Sequence, residues 1–136
     1  MMDTAVALDF LDHNHHAVLG THRSNGDMQL SPVLAVPWDG RVLISTREGA
    51  VKVRNLRRKP RAALVVLPQT FFGNWVQITG GVEIISLPEA MDVLIEYYRR
   101  ASGEHENWDD YQDAMQRERR CAVVISPERV GPSIAG

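Results

Sequence analysis

Apolar and polar positions change their period several times along this chain, and each change marks an element. Val6, Leu8, Phe10 and Leu11 fall near helical spacing, so a short helix is predicted from an N-cap at Thr4 to about His13-Asn14. His16 to Arg23 and Met28 to Val36 are extended runs. Between them Ser24-Asn25-Gly26-Asp27 supplies an Asn-Gly pair that readily takes positive φ, the mark of an antiparallel hairpin. Asp39-Gly40 repeats that turn before Arg41 to Thr46, which makes a three-stranded meander. A helical stretch follows, and then Ala62-Ala63-Leu64-Val65-Val66-Leu67, too apolar to face water and therefore a buried strand. From Trp75 to Ser86 the positions alternate. Val76, Ile78, Val82 and Ile84 share one face, and Trp75, Gln77, Thr79 and Glu83 the other. One side of that strand belongs in a core and the other at a polar boundary or subunit contact.

Pro88 suits a first helical turn, with Met91, Leu94, Ile95 and Tyr98 recurring at i, i+3, i+4 and i+7 and Glu96 four residues before Arg100. Gly103 ends this helix, which packs on the sheet or on a partner. Asn107 caps another helix to about Gln116, Cys121 to Ser126 is the last strand, and a flexible tail is expected from about residue 127. The class is mainly β, α+β by content, in a single domain over 1–136. Six mostly antiparallel strands cannot hide both edges in an open sheet of this size, so closure into a small barrel with peripheral helices is predicted. Gly80-Gly81, inside the alternating strand, reads as a bulge, a bend or the close approach of another backbone.

Composition narrows the class of function. No apolar run approaches the roughly 20 residues of a membrane span, and Met1-Met2-Asp3-Thr4 lacks the basic start of a signal peptide, so a cytoplasmic protein without membrane contact is expected. Cys121 is the single cysteine, and its apolar neighbours predict a buried structural thiol. A net charge of -2 argues against general affinity for nucleic acid.

That charge is segregated. Seven of the fifteen Lys and Arg residues lie between Arg47 and Arg61, whereas Glu104, Glu106, Asp109, Asp110 and Asp113 form an acidic stretch free of both. The acidic stretch reads as a solvated face, with a subunit contact as the alternative. The basic run joins a strand through Gly49 to a short helix, so backbone N–H groups, the helix dipole and side chains would favour one anion, naturally a phosphate. Helical spacing puts Val53 with Leu56, Lys52 with Asn55 and Lys59, and Arg54 with Arg58. The helix can dock by its leucine and still offer cations; a merely solvated basic helix is the alternative. Ser45 and Thr46 at the strand end add hydroxyl donors.

Several machineries are absent. The chain has no G-x-G-x-x-G fingerprint, G-x-x-x-x-G-K-[ST] loop or G-x-S-x-G elbow. His15 and His16 are adjacent and point to opposite sides of a strand, so together with His13 they predict no metal site, and His22 and His105 read as surface or hydrogen-bonded.

Ser45-Thr46, then Lys52 three residues before Asn55-Leu56, then Pro60-Arg61 and an apolar strand, resembles the split β-barrel flavin and deazaflavin proteins related to pyridoxamine 5'-phosphate oxidase. Val18-Leu19-Gly20-Thr21 and Gln29-Leu30-Ser31 extend the likeness over nearly the whole chain. The segment Gly103-Glu104-His105-Glu106-Asn107-Trp108-Asp109-Asp110-Tyr111, with Ala114-Met115, is similar to the branch that uses the deazaflavin coenzyme F420. The resemblance implies a homodimer with a cofactor groove between two barrels and hydride transfer to a small-molecule substrate. It implies that Ser45, Thr46 and Lys52 meet the cofactor phosphate, that Gln29, Ser31, Pro32 and Val33 line its ring, and that Trp75 closes the groove from the neighbouring subunit. FMN is the alternative cofactor. Other rivals are a non-catalytic carrier of the cofactor and nucleic-acid binding through Arg54, Arg57 and Arg58. Two positions depart from the pattern. Ala50 stands where relatives often carry an arginine, for which Arg54, Arg57 or Arg58 would compensate, and Pro32 stands where they carry an asparagine and has no N–H to donate. No catalytic acid or base is assigned.

Overall fold

Asp3 rather than Thr4 caps the first helix, its Oδ1 accepting the Val6 N–H at 2.9 Å. The donor three residues on is thereby satisfied, and α1 (Thr4–His13) begins at the residue expected to be its cap, one position early. Ala7 and Leu11, one turn apart, are its buried pair, while Val6 faces solvent. The computed structural model describes residues 2–132. After α1 come β1 (His16–His22), β2 (Met28–Trp38), β3 (Arg41–Arg47), α2 (Val51–Arg58), β4 (Arg61–Val66), β5 (Val76–Ser86), α3 (Ala90–Ser102), α4 (Trp108–Arg117) and β6 (Arg120–Gly131).

All strand pairs are antiparallel, and they close into a barrel in the order β1-β2-β3-β6-β5-β4. Closure gives every strand two neighbours over at least part of its length. Both predicted hairpins form, His22 opposite Met28 and Trp38 opposite Arg41. In the second, Asp39 and Gly40 take φ values of 52° and 71°, the left-handed pair that matches the twist of the flanking strands.

One boundary moves. β6 continues through Pro127, with Val130 opposite Ile78 and Gly131 opposite Gln77, so residues 127–131 are strand and not the expected tail. Pairing with β5 satisfies backbone groups that a tail would leave to water. Residues 133–136 lie outside the described residues. Where β5 slips register against β6, between Thr79 and Gly80, a Cβ on Gly80 would lie 1.8 Å from the Ser126 carbonyl oxygen. The glycine in the alternating strand marks both a bulge and a close backbone approach.

Alternation along β3 and β6 explains why both read as continuous apolar runs. Val42, Ile44, Val123 and Ile125 point into the barrel, where Ala7 and Leu11 of α1 and Leu56 of α2 join them. Leu43, Ala122 and Val124 point outward and are covered by Ala90 and Leu94 of α3 and by Tyr111 and Met115 of α4. The helix at 90–102 therefore packs on the barrel. Burial of Leu43 and Leu94 there contributes about 1.5–3 kcal/mol each before side-chain entropy is counted.

Candidate functional site

β2 and β3 share a ladder only from Ala35 to Trp38 and from Arg41 to Ile44. Beyond it β2 follows β1 back to Met28 while β3 stays with β6 to Arg47, so the two strands separate. Tyr97 of α3 stands in the gap. Its hydroxyl donates to the Leu34 carbonyl at 2.9 Å, and Ser45 lines the same gap from β3. A phenol thus takes up the Leu34 carbonyl where the β2–β3 ladder has ended. Burial raises the pKa of this phenol, against the opposing effects of Arg120 and the Ser45 N–H.

The gap opens into a groove of about 510 Å³. Pro32, Val33 and Leu34 line it from β2, Ser45 and Thr46 from β3, and Lys52 from the first turn of α2. Tyr97, Tyr98, Tyr111 and Met115 line it from the helices, and Glu118 and Arg120 complete it. The helical wall is fixed by an aromatic set: Tyr98, His105, Trp108 and Tyr111 have ring centroids 4.8–5.8 Å apart. Arg99 lies 5.0 Å over Trp108 and pairs with Glu104 at 3.0 Å, and the Tyr111 hydroxyl donates to the Leu94 carbonyl at 2.7 Å. Burial pushes the Tyr111 phenol up to about 12. These features explain why the segment from Gly103 to Tyr111 carries a recognisable pattern.

The groove favours an anion. Its one carboxylate, Glu118, accepts from Arg120 and Arg47, and the Arg120 hydrogen bond is the main reason its pKa lies below the ordinary glutamate value. Lys52 is half-buried and has no ion-pair partner among the described residues.

Of the residues singled out in the sequence, Pro32, Val33, Ser45, Thr46 and Lys52 are brought together here. Ser31, next along β2, has a buried hydroxyl without a hydrogen-bond partner. Gln29 is farther along, its Oε1 accepting from the Thr21 hydroxyl at 3.2 Å. Arg54 and Arg58 line a different concavity with Arg23. Arg58 donates to the His22 carbonyl and to Asn55 Oδ1, so it fastens α2 to β1. Trp75 lies at the β4–β5 connection, beside Gln77, Thr79 and Arg129, outside the groove of its own chain. Three arginines of the basic run are paired: Arg57 with Glu48 inside the run, and Arg47 and Arg61 with the distant Glu118 and Glu128. His13 and His15 bond to the Asp9 and Ala35 carbonyls through Nδ1. Among the described residues no three His, Cys, Asp or Glu side chains are grouped to hold a metal.

Sequence reasoning missed Tyr97, Glu118 and Arg120. Tyr97 falls one position off the apolar row of its helix, and only the gap between β2 and β3 gives it a role.

A closed six-stranded antiparallel barrel whose β2 and β3 part beside a groove is a split β-barrel. The chain belongs to the pyridoxamine 5'-phosphate oxidase family, whose model matches residues 4–133. Its fold is similar to that of a conserved hypothetical protein from Mycobacterium tuberculosis, with a TM-score of 0.78 and 22% identity over 100% of this chain and 94% of that one. It is also similar to an F420 reductase, with a TM-score of 0.72 and 20% identity over 90% of this chain and 94% of that one. A heme binding protein from Mycobacterium smegmatis shares the fold at a TM-score of 0.69 and 17% identity, over 96% of this chain and 53% of that one. Likeness at these identities speaks for the fold, and function has to be argued from the site. No helix among the described residues is long and apolar enough to cross a membrane.

Proposed function

We propose that this protein is a coenzyme F420-dependent reductase acting on an activated C=C or C=N bond of a small organic molecule. The observation that carries this reading is Lys52, an ammonium without an ion-pair partner among the described residues, in a groove with Ser45 and Thr46. One cation and two hydroxyls suit a phosphodiester. When bound, the reduced deazaflavin supplies a hydride, a two-electron donor. The chain's own residues bind and orient. Lys52, Ser45 and Thr46 hold the phosphate, Pro32 and Val33 offer an apolar wall to the ring, and the buried Ser31 hydroxyl is a free donor beside them. Tyr98, Tyr111 and Met115 restrict access of water to the far side. A proton reaches the product from water or from a hydroxyl such as Ser31, so no dedicated acid is required.

The working unit in this proposal is a homodimer. Met28, Leu30 and Leu34 alternate along β2 beside the groove and are 45%, 66% and 45% exposed, an apolar row that a second copy would cover. The other copy would then supply the missing wall, with Trp75 the candidate from the neighbouring subunit.

Parallel fluorescence titration with F420 and with FMN tests the cofactor. Tighter binding of the deazaflavin, followed by its oxidation in the presence of enones or quinone-like acceptors, is expected. Preference for FMN would move the protein to the flavin side of the family, and tight binding without turnover on a broad panel of acceptors would mark a carrier.

A further inference from the structure

A second concavity, of about 310 Å³, lies on another face of α2 and is not used by the groove. The β1–β2 turn contributes Arg23, Ser24 and Asn25 to it, and α2 contributes Arg54, Asn55 and Arg58. Three arginines line it with no carboxylate among the lining residues, though the Asp27 carboxylate accepts from Asn25 Nδ2 at 3.1 Å, and none of the three has an ion-pair partner among the described residues. Six other arginines of the chain do have such partners: Arg41, Arg47, Arg57, Arg61, Arg99 and Arg120. Like charges gathered in one concavity repel, and an anion that bonds to several of them relieves the repulsion.

The wall of this pocket is fixed from inside. Asn55 is 4% exposed, and its Oδ1 accepts from Arg58 at 3.2 Å. Its Nδ2 donates to the Thr21 hydroxyl at 3.1 Å, and that hydroxyl donates to Gln29 Oε1 at 3.2 Å. Neutral oxygens alone hold Arg58, so its guanidinium can turn toward an anion without breaking an ion pair.

We propose that Arg23, Arg54 and Arg58 form a second anion site, which takes a phosphate or pyrophosphate group and whose occupancy is felt at Gln29. Planar guanidinium forks match a tetrahedral oxyanion, and the Ser24 hydroxyl adds a neutral donor, while the Asn25 amide is held by Asp27. The small concavity and the net charge of -2 select a small phosphorylated molecule over a nucleic-acid backbone. Coupling follows from burial. When Arg58 turns to the anion, Asn55 loses a donor it cannot replace from water, so Asn55, Thr21 and Gln29 rearrange together. The consequence for catalysis rests on Gln29 lying beside the cofactor ring; the anion site and the chain of bonds do not. Coupling of this kind is reciprocal, so a ligand that repositions Gln29 also changes affinity at the arginines.

The test uses the protein without redox cofactor, so its result is independent of what the groove binds. Pyrophosphate is titrated calorimetrically at low ionic strength, while NMR follows the side-chain amides of Asn55 and Gln29. One saturable event is expected. Arg23→Ala and Arg54→Ala, both exposed positions outside the ion pairs, should each weaken it about tenfold or more, and Lys52→Ala should leave it in place. Both amides should shift on saturation. Absence of saturable binding, or binding lost with Lys52→Ala and indifferent to both arginines, overturns the site. Saturation that shifts Asn55 and leaves Gln29 unmoved overturns the coupling.

Discussion

The Tyr97 hydroxyl donates to the Leu34 carbonyl at 2.9 Å, so one helical side chain is fastened to β2 in the gap that Ser45 lines from β3. The groove and the helix packing are therefore one structure. Removing the hydroxyl with Tyr97→Phe leaves the Leu34 carbonyl without this partner, at a cost of about 1–3 kcal/mol. The thermal midpoint should fall by several degrees, roughly 2–8 °C per kcal/mol in domains of this size range. Cofactor binding should weaken with it, because Leu34 and Tyr97 line the groove beside Ser45. An unchanged midpoint in a thermal melt would show that this hydrogen bond is not structural.

Lys52→Ala should weaken cofactor affinity by about 1.5–3 kcal/mol, the usual range for a hydrogen bond to a charged group, without lowering stability. Lys52 makes no ion pair among the described residues, so the fold does not depend on its charge. Equal titration curves for variant and wild type would remove the phosphate assignment.

Leu30 is 66% exposed in the middle of the apolar row on β2. Leu30→Lys should leave the barrel folded and convert a dimer to a monomer, since an unpaired buried ammonium costs several kcal/mol at an interface. Sedimentation at micromolar concentration reads the change. A wild-type protein that already sediments as a monomer would exclude the shared groove.

Gly80→Ala and Gly81→Ala form an internal comparison. A Cβ at Gly80 meets the Ser126 carbonyl oxygen at 1.8 Å, whereas one at Gly81 meets only the end of the Glu128 side chain at 3.3 Å. The first should cost upwards of about 1–3 kcal/mol, because backbone must move, and the second a fraction of that. Urea midpoints that do not separate the two variants would contradict the bulge geometry.

Acid stability should report on Glu48. Burial raises its pKa, but hydrogen bonds from Ser86 and Arg57 and the charges of Arg57 and Arg119 outweigh burial, so the folded-state value lies below 4.5. A carboxyl depressed in the folded state contributes stability that is present above the unfolded value and lost as pH falls through the folded one. Glu118, depressed chiefly by its hydrogen bond from Arg120, adds in the same direction. Stability should therefore decline as pH falls below about 4.5, and Glu48→Gln should make the decline shallower. Urea unfolding from neutral to acid pH measures both slopes. Parallel slopes for the variant and wild type would mean that Glu48 is not a source of the acid lability.

Much of the fold was legible because its signals are local. Alternation along β5, the Asn25-Gly26 and Asp39-Gly40 turns and the glycine at position 80 each depend on a few neighbouring residues. Asp3 in place of Thr4 as the cap shows the limit, since both side chains can accept and only the entry path of the chain chooses between them. The stop of β6 was missed because Pro127 reads as a breaker, and pairing with β5 overrides it.

Ser45, Thr46 and Lys52 follow one another through a strand, a turn and a helix, so their meeting is a consequence of chain order, and the sequence by itself determined that half of the groove. It also determined that strands of this number and pattern would close on themselves. Only the tertiary structure decided how the charge is shared out. Glu118 and Glu128 reach the basic run from the far end of the chain, Glu48 pairs with Arg57 from within it, and together they neutralise three of its arginines and leave Lys52 at one site and Arg54 and Arg58 at another. It also decided that Tyr97 would stand between β2 and β3. Electrostatic and hydrogen-bond partners are set by distance in space, and distance between residues far apart in the chain exists only once the barrel has closed.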